Sequence, residues 1–228
     1  MSGSEPFNPL DKSNLGISVA QALLSRQPIE LSKITTFQGA GVYALYYTGP
    51  FKPYTKLASQ NKSGRFFMPI YIGKAENKKR KGKTTGTTKS TVLYRRLLDH
   101  VESIRQAKTT LAIGDFSCRY LVVDDIWVPL GESLLIAKFA PLWNRLIDGF
   151  GNHDPGAGRY EGMRPRWDVL HPGRPWANRC QARPESAAQI STDVEQYLRS
   201  IPSEPPRFYA GEPLPPDYLV PSEDSDSD

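Results

Sequence analysis

The sequence has little cysteine and no long apolar run, and both absences narrow the class of protein. Its two cysteines, Cys118 and Cys180, lie far apart, which is too few for a disulfide framework or a cysteine-based zinc site. No apolar run approaches the ~20 residues that span a bilayer. The N-terminal residues 1–5 also lack the basic and then apolar pattern of a secretory signal. We therefore expect a cytoplasmic protein with reduced thiols and no membrane association.

Proline and glycine, in contrast, are abundant. The 228 residues include 20 prolines and 18 glycines, so many segments should be turns or extended stretches. The hydrophobic share of 39% is low, but it suffices for one substantial core at this length. We expect one core with long arms.

Charge is unevenly distributed along the chain. The net charge is +5 although residues 222–228 are acidic, so the remainder is more basic still. Basic residues crowd one stretch, namely Lys74, Lys78, Lys79, Arg80, Lys81, Lys83 and Lys89. Such a stretch suits a polyanion, because each neutralised phosphate releases counterions. It predicts a nucleic-acid contact, and the alternative is a solubilising lysine-rich loop.

Hydrophobic patterns predict an α+β fold with the order β-β-α-β-α, in which helices flank a small three-stranded sheet. Strands are predicted at 41–47, 66–73 and 116–123, and helices at 17–26, 90–107, 129–139 and 188–199. Residues 48–65 are predicted to form a long loop, since they contain two prolines and two glycines.

Composition divides the chain into four segments. They are an N-terminal arm with a short helix (1–40), a folded core (41–148), an Arg- and Trp-rich extension (149–200) and a Pro-rich acidic tail (201–228).

Three residues on the predicted helices supply part of the chemistry of phosphodiester hydrolysis. Glu132 offers one carboxylate, and one carboxylate with phosphate and waters commonly holds magnesium. Arg96 offers a permanently charged guanidinium that matches two phosphate oxygens. His100 lies four residues later, so it shares a helix face with Arg96. Arg95 points about 100° away around the helix and is predicted to be an ordinary surface arginine.

Two short strings complete the pattern. Gly41-Val42-Tyr43 and Tyr71-Ile72-Gly73, followed by Arg96, His100, Glu132 and Asn144, resemble the GIY-YIG nuclease superfamily, with valine in place of isoleucine in the first string. The resemblance implies that the core, 41–148, is a nuclease and that these residues form its active site.

The resemblance also implies a role for each residue. Glu132 would hold Mg²⁺ or Mn²⁺, and Asn144 would support the site geometry by hydrogen bonds. Tyr43 would be the base for the attacking water, with Tyr71 as its orienter or as a donor to the phosphate. Because a phenol with a pKa near 10 is a poor base at neutral pH, we hypothesise that His100 accepts the Tyr43 proton.

The segment 149–177 resembles one subgroup more closely, the small type II restriction endonucleases that cut CCGCGG. The subgroup implies a double-stranded DNA substrate, a homodimer or a tetramer, and a cognate DNA methyltransferase that shares the target. Arginine forks read guanine edges well, and lysines suit phosphates. DNA contacts are therefore expected from Lys74, Lys78, Lys79, Arg80, Lys81, Lys83, Arg159, Arg164, Arg166 and Arg174. His153 and Asp154 lie between glycine and proline and favour a structural turn over a metal site.

Two other functions stay open at this point. One is a GIY-YIG homing or repair nuclease, although homing enzymes append modular DNA-binding domains and repair enzymes are much longer. The other is a non-catalytic DNA-binding protein with the same fold. Discrete fragments from a plasmid would distinguish restriction from both.

Overall fold

The computed structural model describes residues 8, 10–77, 90–154, 156 and 160–209. Its strands are β1 (Ile29–Glu30), β2 (Gly41–Tyr47), β3 (Tyr71–Ala75) and β4 (Phe116–Val122). Its α-helices are α1 (Lys12–Leu24), α2 (Thr55–Asn61), α3 (Val92–Gln106), α4 (Val128–Phe139), α5 (Leu142–Arg145), α6 (Arg166–Leu170) and α7 (Ala187–Ser200). Within these ranges no helix is long and apolar enough to cross a membrane.

The strands form one antiparallel sheet in the order β1-β4-β2-β3. The prediction of a helix-flanked sheet is confirmed, but the predicted count of three strands is wrong. The fourth strand, β1, pairs Ile29 with Cys118 and Glu30 with Ser117. Two residues are too few to display the alternation that marks a strand in a sequence.

Strand β2 divides the interior into two cores, because successive side chains point to opposite faces. Tyr43 and Leu45 belong to a core shared with α3, α5, α6 and α7. Val42 and Ala44 belong to a second core shared with α1 and α4. Helices cover both faces, so every residue of β2 is buried.

Two segments differ from their predictions, and each contains a proline at the point of difference. The predicted strand 66–73 forms only from Tyr71 onward, after Pro69, and β3 lies at the sheet edge. The predicted loop 48–65 contains a 3₁₀ turn at Lys52–Tyr54 and then α2. Pro53 lies at the start of that turn, where its missing N–H costs nothing.

The helices that carry the predicted site residues start and stop close to the expected positions. On α3 the predicted stripe Leu93, Leu97, Val101 and Ile104 is buried. Helix α4 has Pro129 in its first turn and ends at Phe139, and the next residue, Ala140, is left-handed with φ 43°. Pro141 precedes the first residue of α5, Leu142, so Asn144 lies on a short helix and not in the turn that a helix stop at Pro141 predicts.

The extension after residue 149 is anchored to the α3 side of the sheet by a buried polar network. The His171 ring lies 2.6 Å from Tyr54 Oη through Nε2 and 2.9 Å from Thr110 Oγ1 through Nδ1. Trp143 Nε1 donates to the same Tyr54 oxygen at 2.9 Å. Burial lowers the pKa of His171 to about 3, so this ring is neutral at ordinary pH.

Candidate active site

A cleft of about 680 Å³ opens beside the edge strand β3. Tyr71 and Lys74 of β3 line it together with Arg96 of α3 and Glu132 of α4. His153, from the extension, lines it as well. Because β3 is the last strand of the sheet, groups from both sheet faces meet at this edge.

Tyr43 and His100 make a direct contact inside the core next to the cleft. The Tyr43 Oη and His100 Nε2 atoms are 2.5 Å apart, and both side chains are buried. Burial first, and then the charges of Arg96, His153 and Arg174, hold the pKa of His100 well below its ordinary value. His100 is therefore neutral, and its Nε2 atom can accept a hydrogen bond from the Tyr43 hydroxyl.

The tyrosine pair depends on a glycine between them. Gly73 is the cross-strand partner of Tyr43, and a Cβ at this position would lie 2.4 Å from Tyr43 Oη and 2.9 Å from Tyr71 Cε1. The rings of Tyr43 and Tyr71 are 6.1 Å apart between centroids. Only glycine leaves room for the Tyr43 hydroxyl to reach His100 across the strand.

Glu132 presents a nearly buried carboxylate to the cleft, with 2% of the residue exposed. Its Oε2 atom lies 3.0 Å from Lys74 Nζ, so the carboxylate already has a cation beside it. The described part of the chain contains no group of three or more His, Cys, Asp or Glu that could form an all-protein metal cage. A single carboxylate fits Mg²⁺ or Mn²⁺ bound mostly by water and phosphate oxygens.

Arg96 is partly buried at the cleft, where its Nη1 atom lies 2.6 Å from His153 Nε2. Arg95 is exposed, as expected of a surface arginine, and it also lines the rim of the cleft. Asp99 lines it too, and its position three residues after Arg96 on α3 could have indicated this.

Asn144 does not line the cleft but fixes the strand that does. Its Oδ1 accepts from the Ile72 N–H at 2.9 Å, and its Nδ2 donates to the Ile72 carbonyl at 2.8 Å. These two bonds hold β3 between Tyr71 and Gly73.

Arg174 is buried in the extension, contrary to the expectation that it contacts DNA. Only 2% of it is exposed. Its Nε and Nη2 atoms bond the Asp168 carboxylate at 2.7 and 2.5 Å. The remaining bonds go to the carbonyls of Gly149, Phe150 and Asn152. All five N–H groups of the guanidinium thus donate within the protein, and none is left for DNA.

Apart from Lys74, which pairs with Glu132, the other predicted DNA contacts divide into two groups. Arg164 donates to the Ala177 carbonyl at 2.9 Å, and Arg166 pairs with Asp193, so both are engaged with the protein. Lys78, Lys79, Arg80, Lys81, Lys83 and Arg159 lie outside the described residues.

The sequence did not predict two side-chain contacts in the cleft. His153 was expected in a structural turn, yet its ring contacts Arg96. Lys74 was expected at a phosphate, yet it pairs with Glu132. The turn residues around His153 indicated a fixed backbone but not what its side chain would contact.

One comparison with known proteins bears on this site. Residues 35–198 match the protein family described as the Eco29kI GIY-YIG domain, a restriction endonuclease family. The match spans well over half of the chain and includes every residue of the cleft named above. No curated protein matches the sequence.

Proposed function

Since the chain belongs to the Eco29kI GIY-YIG family of restriction endonucleases, we propose that it is a type II enzyme that hydrolyses double-stranded DNA with Mg²⁺ or Mn²⁺. The observation that carries this proposal is that Tyr71, Arg96 and Glu132 line one cleft. A carboxylate, a guanidinium and a phenol there match the needs of phosphodiester hydrolysis.

The chemistry begins with the Tyr43–His100 contact. Tyr43 passes its phenolic proton to neutral His100 and, as phenolate, takes a proton from the attacking water. The short Oη to Nε2 distance supports this transfer. The lowered pKa of His100 makes the ring a weak base, so the transfer also needs the charges of Arg96 and of a divalent ion at Glu132 to favour the phenolate. Tyr71, which lines the cleft, orients the water or donates to a phosphate oxygen.

The phosphate is held by fixed charges. Arg96 keeps its charge at all working pH values and binds two phosphate oxygens. A divalent ion on Glu132 would stabilise the charge that develops on the phosphate and on the leaving oxygen. With a divalent ion on Glu132, Lys74 can contact a neighbouring phosphate.

The target and the assembly follow from the subgroup resemblance. We infer the palindrome CCGCGG, cut by a homodimer, because one site cuts one strand and a palindrome mirrors two-fold symmetry. A tetramer is the alternative assembly. A cognate DNA methyltransferase would protect the same sequence in a shared cytoplasm.

Incubation with plasmid DNA tests the proposal. Wild-type protein should give discrete fragments with Mg²⁺ and none with EDTA, and sequencing of the ends should find CCGCGG. Glu132→Gln is the matched control, because it removes the charge and keeps the shape. Rare cuts at long sites would indicate a homing nuclease. Shifted but uncut DNA would indicate a binding protein, and either result would overturn the proposal.

A further inference from the structure

The contact between His153 and Arg96 joins the extension to the nuclease core. Arginine remains charged in proteins and can only donate hydrogen bonds. The Arg96 Nη1 atom must therefore donate to His153 Nε2, at 2.6 Å. In this contact the Nε2 atom of His153 is the hydrogen-bond acceptor. A bond of this kind, from a charged donor, is stronger than one between neutral groups.

The backbone around His153 is held on both sides. Before it, Arg174 binds the carbonyls of Gly149, Phe150 and Asn152, the last at 3.0 Å. Phe150 also stacks on the His100 ring, with centroids 4.5 Å apart.

After His153, the Asp154 carboxylate fixes the chain. It accepts from Tyr160 Oη at 2.6 Å, from Arg179 Nη2 at 2.9 Å and from the Gly156 N–H at 2.9 Å. His153 is exposed, but the backbone on both sides of it is held by these hydrogen bonds.

We propose that His153 positions the Arg96 guanidinium for the scissile phosphate, so that the extension completes the active site. This inference rests on the proposed function. A long arginine side chain loses rotamer freedom when it is ordered, and two-point binding of a phosphate requires one orientation of the guanidinium plane. The bond to His153 sets that orientation before DNA arrives.

Two substitutions separate positioning from a general structural role. In single-turnover cleavage, His153→Ala should lower the rate about tenfold to a hundredfold, the range expected for a hydrogen bond to a charged group. The KM for DNA should change less than about threefold, since many other phosphate contacts carry affinity. His153→Gln should recover most of the rate, because its amide oxygen can accept the same bond.

A double-mutant cycle with Arg96→Ala assigns the effect to Arg96. In the Arg96→Ala background, His153→Ala should cause no further loss. An equal loss in both backgrounds, or a His153→Gln enzyme as slow as His153→Ala, would overturn the inference. Arg105→Ala is the arginine control, because it is exposed and lies on the opposite face of α3.

A second readout works even if the proposed function fails. Side-chain ¹⁵N NMR reports whether rotation of the Arg96 guanidinium is hindered in the protein without DNA. Hindered rotation in wild type and His153→Gln but free rotation in His153→Ala supports the positioning contact. Free rotation in all three overturns it. A wild-type protein that shows the contact yet cuts no DNA would count against the nuclease function alone.

Discussion

Replacement of Arg174 by methionine tests whether this arginine is a structural residue or a DNA contact. Its guanidinium pairs with Asp168, whose side chain is 1% exposed. It also lies between the rings of Trp167 and Trp176, at 4.5 and 4.6 Å from their centroids. Methionine keeps much of the apolar stem, so the substitution removes mainly the charge and its five hydrogen bonds.

The expected loss is large because Asp168 stays behind. Removing one partner of a buried ion pair costs about 3–5 kcal/mol, and a domain has only about 5–15 kcal/mol of stability in total. We therefore expect Arg174→Met to lower the free energy of unfolding by about 3–5 kcal/mol. The double variant with Asp168→Leu should recover part of this loss, since no unpaired charge is then buried.

Urea unfolding followed by tryptophan fluorescence measures this effect, because Trp167 and Trp176 flank the guanidinium. Arg199→Met is the control: its side chain is 77% exposed, and its loss should stay within about 0.5 kcal/mol. A DNA-contacting Arg174 gives a different result. Stability would then fall by less than about 1 kcal/mol, while the salt dependence of DNA binding would weaken by about one phosphate contact. That outcome would refute the conclusion that Arg174 is a structural residue.

Three further predictions concern the site and the buried histidine. Tyr43→Phe should slow single-turnover cleavage at least about 100-fold; near-normal rates across pH would exclude Tyr43 as the base. Glu132→Gln should abolish Mn²⁺ binding in isothermal titration, and unchanged binding would move the metal elsewhere. Because the pKa of His171 falls to about 3 on folding, protons bind the unfolded chain first as the pH drops below about 6.5. The free energy of unfolding should therefore fall by about 1.4 kcal/mol for each pH unit below this value, because the unfolded chain binds one more proton at His171. His171→Gln should make the slope between pH 6 and 5 shallower by that amount, and an unchanged slope would contradict the burial argument.

The sequence was most informative where local patterns and the fold agree. The aromatic run of β2 and the apolar stripe of α3 each reflect a period that burial imposes directly. The family motif then predicted which residues should meet at β3, and Tyr71, Arg96 and Glu132 do line one cleft.

Long-range contacts were beyond such patterns. Nothing local marks Ile29–Glu30 as a strand, because its pairing depends on Ser117 and Cys118. Arg174 was predicted to contact DNA because its hydrogen-bond acceptors, which lie between Gly149 and Asp168, reach it only when the extension folds. An arginine-rich stretch has the same composition whether its charges face solvent or buried carboxylates.

The hydrogen bonds that Asn144 makes to Ile72 have a consequence for self-association. Edge strands with unpaired backbone groups can recruit strands from other molecules. Here the outward-facing backbone groups of Ile70 and Ile72 already have partners. The Asn144 side chain bonds the N–H and the carbonyl of Ile72, and the Trp143 N–H donates to the Ile70 carbonyl at 2.9 Å. Asn144→Ala should therefore leave an open template and raise the tendency to aggregate in light-scattering measurements. In the wild-type protein, the Ile72 backbone groups are therefore not open to pairing with a second copy.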